Sequence, residues 1–90
     1  MKNLLKQIGQ ILGEVDKNLD VLDREIDYII KNEIRDIRRI ESLLDIILDY
    51  VLWDKGKIQF EKLNNYYSTF REEFSADYRR VYHEILDLEE

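Results

Sequence analysis

Residues 3–30 read NLLKQIGQILGEVDKNLDVLDREIDYII, and Leu5, Ile8, Leu12, Val15, Leu19, Leu22, Ile26 and Ile29 form a regular apolar series within them. The steps alternate strictly between three and four residues, which fills every a and d position of four heptads and predicts an amphipathic helix. Carried forward in the same register, the seam would next meet Glu33 and Asp36, and two successive acids in a seam are costly. A shift of one residue at Ile30 avoids them and runs through Ile34, Ile37, Ile40, Leu44, Ile47 and Val51. A break near Lys31 to Glu33 is therefore expected, with Asn32 as a left-handed C-terminal residue or as the N-cap of the next helix. A single bent helix over residues 3–53 is the alternative, because no Gly or Pro enforces the turn.

The periodicity stops again at Trp53-Asp54-Lys55-Gly56-Lys57, where Gly56 can take the positive φ that ends a helix. Beyond it, Phe60, Leu63, Tyr67, Phe70, Phe74, Tyr78, Val81, Ile85 and Leu88 predict a third helix. The successive four-residue steps at Phe70, Phe74 and Tyr78 are a stutter, which relaxes supercoiling or marks a kink near Ser75. The expected fold is all-α: a single domain over residues 1–90, built as a small antiparallel bundle of three helices at about 3–30, 33–53 and 58–88. Leu4 and Ile11 flank the first seam while Leu43, Leu48 and Leu52 widen the second, so the bundle is expected to be completed by dimerisation.

Composition narrows the function classes. The chain has 90 residues, 44% hydrophobic and 38% charged, with a formal net charge of -6 and no cysteine or proline. The charged fraction is well above the usual quarter beside an ordinary apolar fraction, which suits amphipathic helices rather than disorder. Zero cysteines exclude disulfide scaffolds, thiolate zinc sites, iron–sulfur clusters and cysteine nucleophiles. The first thirteen residues lack the continuous apolar core of a signal peptide, and the longest uncharged apolar run, Tyr50 to Trp53, is far too short to span a membrane. A cytoplasmic location without membrane attachment is the default expectation.

Little in the sequence carries catalytic chemistry. His83 is the single histidine, and Arg80 stands three residues before it, so the Glu-x-x-His pairs of a di-iron bundle are not there. No catalytic residue, metal ligand or cofactor is assigned. Asp16, Asp20, Asp23 and Asp27 recur at i, i+4, i+7 and i+11 and read as a solvated acidic helix face. Gly9 and Gly13 extend that stripe upward and would permit close helix approach or loosen the helix start. Lys31, Arg35, Arg38 and Arg39 lie within two turns, close to Asp27, Asp36 and Glu41, and read as surface ion pairs. The negative balance argues against nucleic acid as the main ligand.

Arg79-Arg80-Val81-Tyr82-His83-Glu84 resembles the tail end of the HEPN ribonuclease motif. That family sets its arginine and histidine further apart than the three residues between Arg79 and His83. The resemblance implies an alternative function, a helical dimer that cleaves or binds RNA with Arg79 and His83, using the basic patch around Arg38.

Eight of the ten aromatic residues lie between Trp53 and Tyr82, more than one helix face can bury. Phe60, Tyr67, Phe70, Phe74 and Tyr78 follow the predicted core stripe, whereas Tyr66 and Tyr82 fall off it. Tyrosine and tryptophan are the residues that protein interfaces favour. The leading expectation is thus a non-enzymatic protein–protein interaction module, an accessory, adaptor or viral-type inhibitor protein that docks on a protein partner and self-associates. Its expected partner-binding residues are Trp53, Tyr66 and Tyr82, with the aspartates from Asp16 to Asp27 as an acidic face that could mimic nucleic acid.

Overall fold

A computed structural model describes residues 19–88. Among the described residues four helices follow one another: α1 over residues 19–31, α2 Ile37–Val51, α3 Lys57–Ser68 and α4 Glu72–Asp87. Among the described residues there is no strand. The all-α expectation holds, but the single helix expected at 58–88 is two helices.

The first two turns share one device. At the end of α1 the Ile34 amide donates to the Ile29 carbonyl (2.9 Å) and the Glu33 amide to that of Ile30 (3.2 Å). At the end of α2 the Lys55 amide reaches Tyr50 (3.0 Å) and the Asp54 amide reaches Val51 (3.0 Å). These paired bonds are Schellman motifs, which need one left-handed residue each. Glu33 (φ 51°) and Asp54 (φ 59°) fill those places. Neither Asn32 nor Gly56 therefore ends a helix. Asn32 instead donates its side-chain amide to the Tyr28 carbonyl, Asp36 caps α2 by accepting from the Arg39 amide, and Gly56 (φ 81°) is the N-cap of α3. The two acids that would have burdened a continuous seam sit in an exposed turn.

The third turn adds side chains to backbone bonds, in which the Phe70 and Arg71 amides donate to the Tyr67 carbonyl (3.2 and 2.9 Å). Ser68 and Thr69 donate their hydroxyls to the carbonyls of Asn65 and Tyr66, both at 2.6 Å, satisfying acceptors that the end of α3 leaves open. Glu72 and Glu73 then occupy the first turn of α4, where the helix dipole favours negative charge. A buried clasp closes the hairpin: the Asn64 amide donates to the Ser75 carbonyl (3.1 Å) and the Ser75 hydroxyl to the Asn64 carbonyl (3.0 Å). The place expected to hold a kink near Ser75 is thus a packed contact between two antiparallel helices, and the reversal lies four residues earlier.

The core gathers Ile26 and Ile29 from α1, Ile40, Leu44, Ile47 and Val51 from α2, and Phe60, Leu63 and Tyr67 from α3, all fully excluded from solvent. Each such side chain contributes roughly 1.5–3 kcal/mol by leaving water. From α4, Tyr82 stacks on Phe60 with ring centroids 4.1 Å apart and planes 14° apart. Leu43 and Leu48 are buried within this one chain, so they do not widen a seam that needs a second copy. Of the residues invoked for dimerisation, Leu52 is exposed, while Leu4 and Ile11 lie outside the described residues.

Contacts between helices fix their directions. Asp23 and Asp27 of α1 meet Gln59 and Lys62 of α3, so these two run together. Asp45 of α2 meets Tyr78 of α4, with Leu48 and Val81 lining the same groove one turn on. Glu61 and Asn64 of α3 meet Arg79 and Ser75 of α4 in antiparallel order. The start of α1, the end of α2, the start of α3 and the end of α4 therefore share one end of the bundle.

Candidate interaction surface

The α2–α3 turn and the start of α3 carry a group of exposed apolar side chains. Leu52, Trp53 and Ile58 show 57%, 47% and 77% of their surface to solvent. The turn that presents them is rigid: the Trp53 amide donates to the Tyr50 carbonyl (2.9 Å), Lys57 pairs with Asp54 (2.7 Å), and Gly56 packs so closely that a Cβ there would lie 3.3 Å from Cβ of Tyr50. Hydrogen bonding and charge from Lys57 hold the Asp54 carboxyl below the usual carboxylate range.

The other two expected anchors are committed to the fold. Tyr82 is 4% exposed against Phe60, so it is a core residue rather than an exposed docking side chain. The α3–α4 break is the reason. It resets the helical phase, so α4 turns Ser75, Tyr78, Tyr82 and Ile85 inward, and leaves Phe74, Val81 and Leu88 of the expected stripe exposed. Tyr66 is half-buried, donates its hydroxyl to the Ile34 carbonyl (2.7 Å) and meets Phe70 edge-on at 5.4 Å. It locks the α1–α2 turn to α3.

The acidic stripe is likewise divided. Asp23 accepts from the Gln59 amide at 3.0 and 3.1 Å, and Asp27 pairs with Lys62. Both contribute to the α1–α3 junction, Asp27 from an exposed position and Asp23 from a half-buried one. Asp20 is exposed, and Asp16 lies outside the described residues. In the basic patch, Arg39 pairs with Glu25 (2.9 Å) and Arg35 sits over the Phe70 ring at 5.6 Å, while Lys31 and Arg38 are exposed.

Arg79 and His83 share a face of α4 but differ in surroundings. The Arg79 guanidinium donates to Asn65 (2.7 Å) and lies 3.3 Å from the Glu61 carboxylate, whereas His83 is exposed beside the Tyr82 ring.

A surface groove of about 330 Å³ between α2 and α4 is lined by Asp45, Leu48, Asp77, Tyr78, Arg80 and Val81. Tyr78 donates to Asp45 at 2.9 Å. Burial first, and then this bond to a carboxylate, push the Tyr78 hydroxyl well above its ordinary value. Tyr67, bonded to Glu41 at 2.7 Å, is raised in the same way. Both phenols stay neutral donors that cross-brace the helices.

Asn64 and Ser75 were not singled out by sequence, since both look like ordinary polar helix residues. The Asn64 side-chain oxygen is buried without a hydrogen-bond partner. Among the described residues no group of three or more histidines, cysteines and carboxylates could hold a metal ion, and no helix is long and apolar enough to cross a membrane. A scan against protein-family models and searches of curated proteins and of solved structures find no match to this chain.

Proposed function

We propose that this chain is a non-enzymatic interaction module, a small helical bundle that docks on a protein partner and acts as a homodimer. The observation that carries this reading is the exposure of Leu52 and Trp53 on the α2–α3 turn, followed by that of Ile58 in the first turn of α3. Exposed apolar side chains on a pre-ordered turn lose little conformational entropy on binding, and tryptophan is the residue most enriched among binding hot spots. Arg79's engagement by Glu61 and Asn65 favours this reading over RNA cleavage, because it leaves His83 without a free cationic neighbour at its expected partner position. An acidic mimic of nucleic acid would rely on Asp16 and Asp20, since Asp23 and Asp27 are occupied by α3.

The test compares wild type with Trp53→Ala by affinity capture from the native host, alongside thermal melts. The expected result is loss of the captured partner with a melting temperature within about 2 °C of wild type. Cleavage of labelled RNA by wild type, abolished in His83→Ala, would instead establish the enzymatic alternative.

A further inference from the structure

Helix α4 turns Ser75, Tyr78, Tyr82 and Ile85 toward the core, and a second stripe runs beside them on its surface. Phe74, Asp77, Val81, Glu84 and Leu88 recur at i, i+3, i+7, i+10 and i+14, which sets them on one helix face. All five are exposed, and apolar residues alternate with carboxylates along the stripe. On α2, Glu41, Asp45, Leu48 and Leu52 recur at i, i+4, i+7 and i+11, and Asp45 and Leu48 line the groove opposite Asp77 and Val81. The two helices run in the same direction and the Tyr78–Asp45 bond braces them side by side, so the groove is already formed in the free chain. The α4 stripe is about 21 Å long at ~1.5 Å per residue, the length of a short helix.

Charge specifies what fits there. Asp45 and Asp77 line the groove, Asp49 stands one turn beyond Asp45 on α2, and Glu84 interrupts the apolar stripe on α4; all four carboxylates are exposed. Arg80 is the one cation among the lining residues, and it lies 3.8 Å from Asp77. From Glu41 to Leu52 α2 has no lysine or arginine, and Arg79 is held by Glu61 and Asn65 of α3. A second copy laid face to face on this surface would set carboxylates against carboxylates, and nucleic acid or an anionic lipid surface would meet the same repulsion. An amphipathic helix whose apolar stripe is flanked by lysine or arginine complements both features. Its apolar residues meet Leu48, Val81, Phe74 and Leu52, and its cations meet the aspartates on either side.

We propose that the α2–α4 groove docks a basic amphipathic helix of a protein partner. The inference rests on the reading of this chain as an interaction module and names the chemistry of its partner, at a surface distinct from the Trp53 turn. Because the Tyr78–Asp45 brace fixes the groove beforehand, docking needs no rearrangement of the two helices.

The probe is a fluorescein-labelled helical peptide of leucine and lysine, with leucine at every a, d and e position, and the control is the same peptide with glutamate for each lysine. Fluorescence anisotropy follows both against wild type, Val81→Asp, Ile46→Asp and Trp53→Ala. The two aspartate variants each add one negative charge at an exposed position, the first in the groove and the second on α2 outside it. The expected result is binding of the lysine peptide to wild type, retained in Ile46→Asp and Trp53→Ala, weakened about tenfold or more in Val81→Asp, and absent for the glutamate peptide. Equal binding by Val81→Asp would show attraction by net charge alone and overturn the inference. So would failure of wild type to bind the lysine peptide, or equal binding of the glutamate peptide. Loss in Trp53→Ala with none in Val81→Asp moves the site to the α2–α3 turn, which overturns the groove and leaves the interaction module standing. Light scattering that finds a wild-type dimer and a Val81→Asp monomer shows a second copy in the groove and likewise overturns the inference. Should Val81→Asp fail to fold in a thermal melt, Phe74→Asp on the same stripe replaces it with the same expected outcomes.

Discussion

The turns after α1 and α2 differ from the turn after α3 in how they stop a helix. The first two use backbone geometry, with a left-handed residue at Glu33 and at Asp54 closing paired amide bonds onto the preceding turn. The third has no left-handed residue and adds, to backbone bonds onto Tyr67, the hydroxyls of Ser68 and Thr69 on the last carbonyls and the Asn64–Ser75 clasp. A stop of the first kind interrupts the apolar period and is visible in sequence. One of the second kind leaves the period almost intact, because both α3 and α4 need an apolar residue every three or four positions.

The comparison can be broken at the α3–α4 side by Tyr82→Ala. If α4 packs as a separate helix with Tyr82 on Phe60, the substitution costs about 3 kcal/mol or more in a denaturant melt. A cost below about 1 kcal/mol would mean that α4 is not docked this way. Trp53→Ala, by contrast, falls within about 0.5 kcal/mol as an exposed position. Ser75→Val probes the same hairpin more locally. It removes the hydroxyl donor, leaves the Asn64 carbonyl without that bond and adds bulk where two helices touch, for a cost of about 2 kcal/mol.

At the backbone-made turns the expected effects are smaller and of opposite sign. Gly56→Ala forces a Cβ into a left-handed residue against Tyr50 and costs about 1–2 kcal/mol. Glu33→Gly relieves the same kind of strain and raises stability by about 0.5–1 kcal/mol, because a side chain at φ 51° is replaced by the residue that best tolerates it. A loss of stability in Glu33→Gly would contradict the Schellman assignment.

The two braced tyrosines give a pH signature. Their folded pKa values lie above the unfolded value near 10, so the neutral phenol is favoured in the fold. The unfolded chain therefore releases these protons first as pH rises. Their contribution is complete below about pH 10 and declines above it. Tyr78→Phe should flatten the alkaline limb of stability against pH, and an unchanged slope would remove the Tyr78–Asp45 brace from the account.

Much of the fold was legible in the sequence. The one-residue phase shift at Ile30 picked out Ile40, Leu44, Ile47 and Val51, all of which are buried, and both early breaks were placed near their observed turns. The residues that execute those turns were misassigned, since Glu33 and Asp54 adopt a conformation for which glycine or asparagine is the usual choice. Thr69-x-x-Glu72 and the adjacent Ser68 were the available signals for the third break, yet they sit inside an uninterrupted aromatic series. Missing that break carried through to the site: one long helix cannot bury Tyr82 and Phe74 alike, whereas a hairpin buries the first and exposes the second. Trp53 was readable as exposed because it lies in the turn itself rather than on a face whose phase must be known.

The claim on which the functional reading depends is the proposed homodimer. Light scattering on the 90-residue chain at tens of micromolar measures this directly. The account predicts a mass twice the 11.0 kDa of one chain, and a mass of 11.0 kDa at that concentration would contradict it.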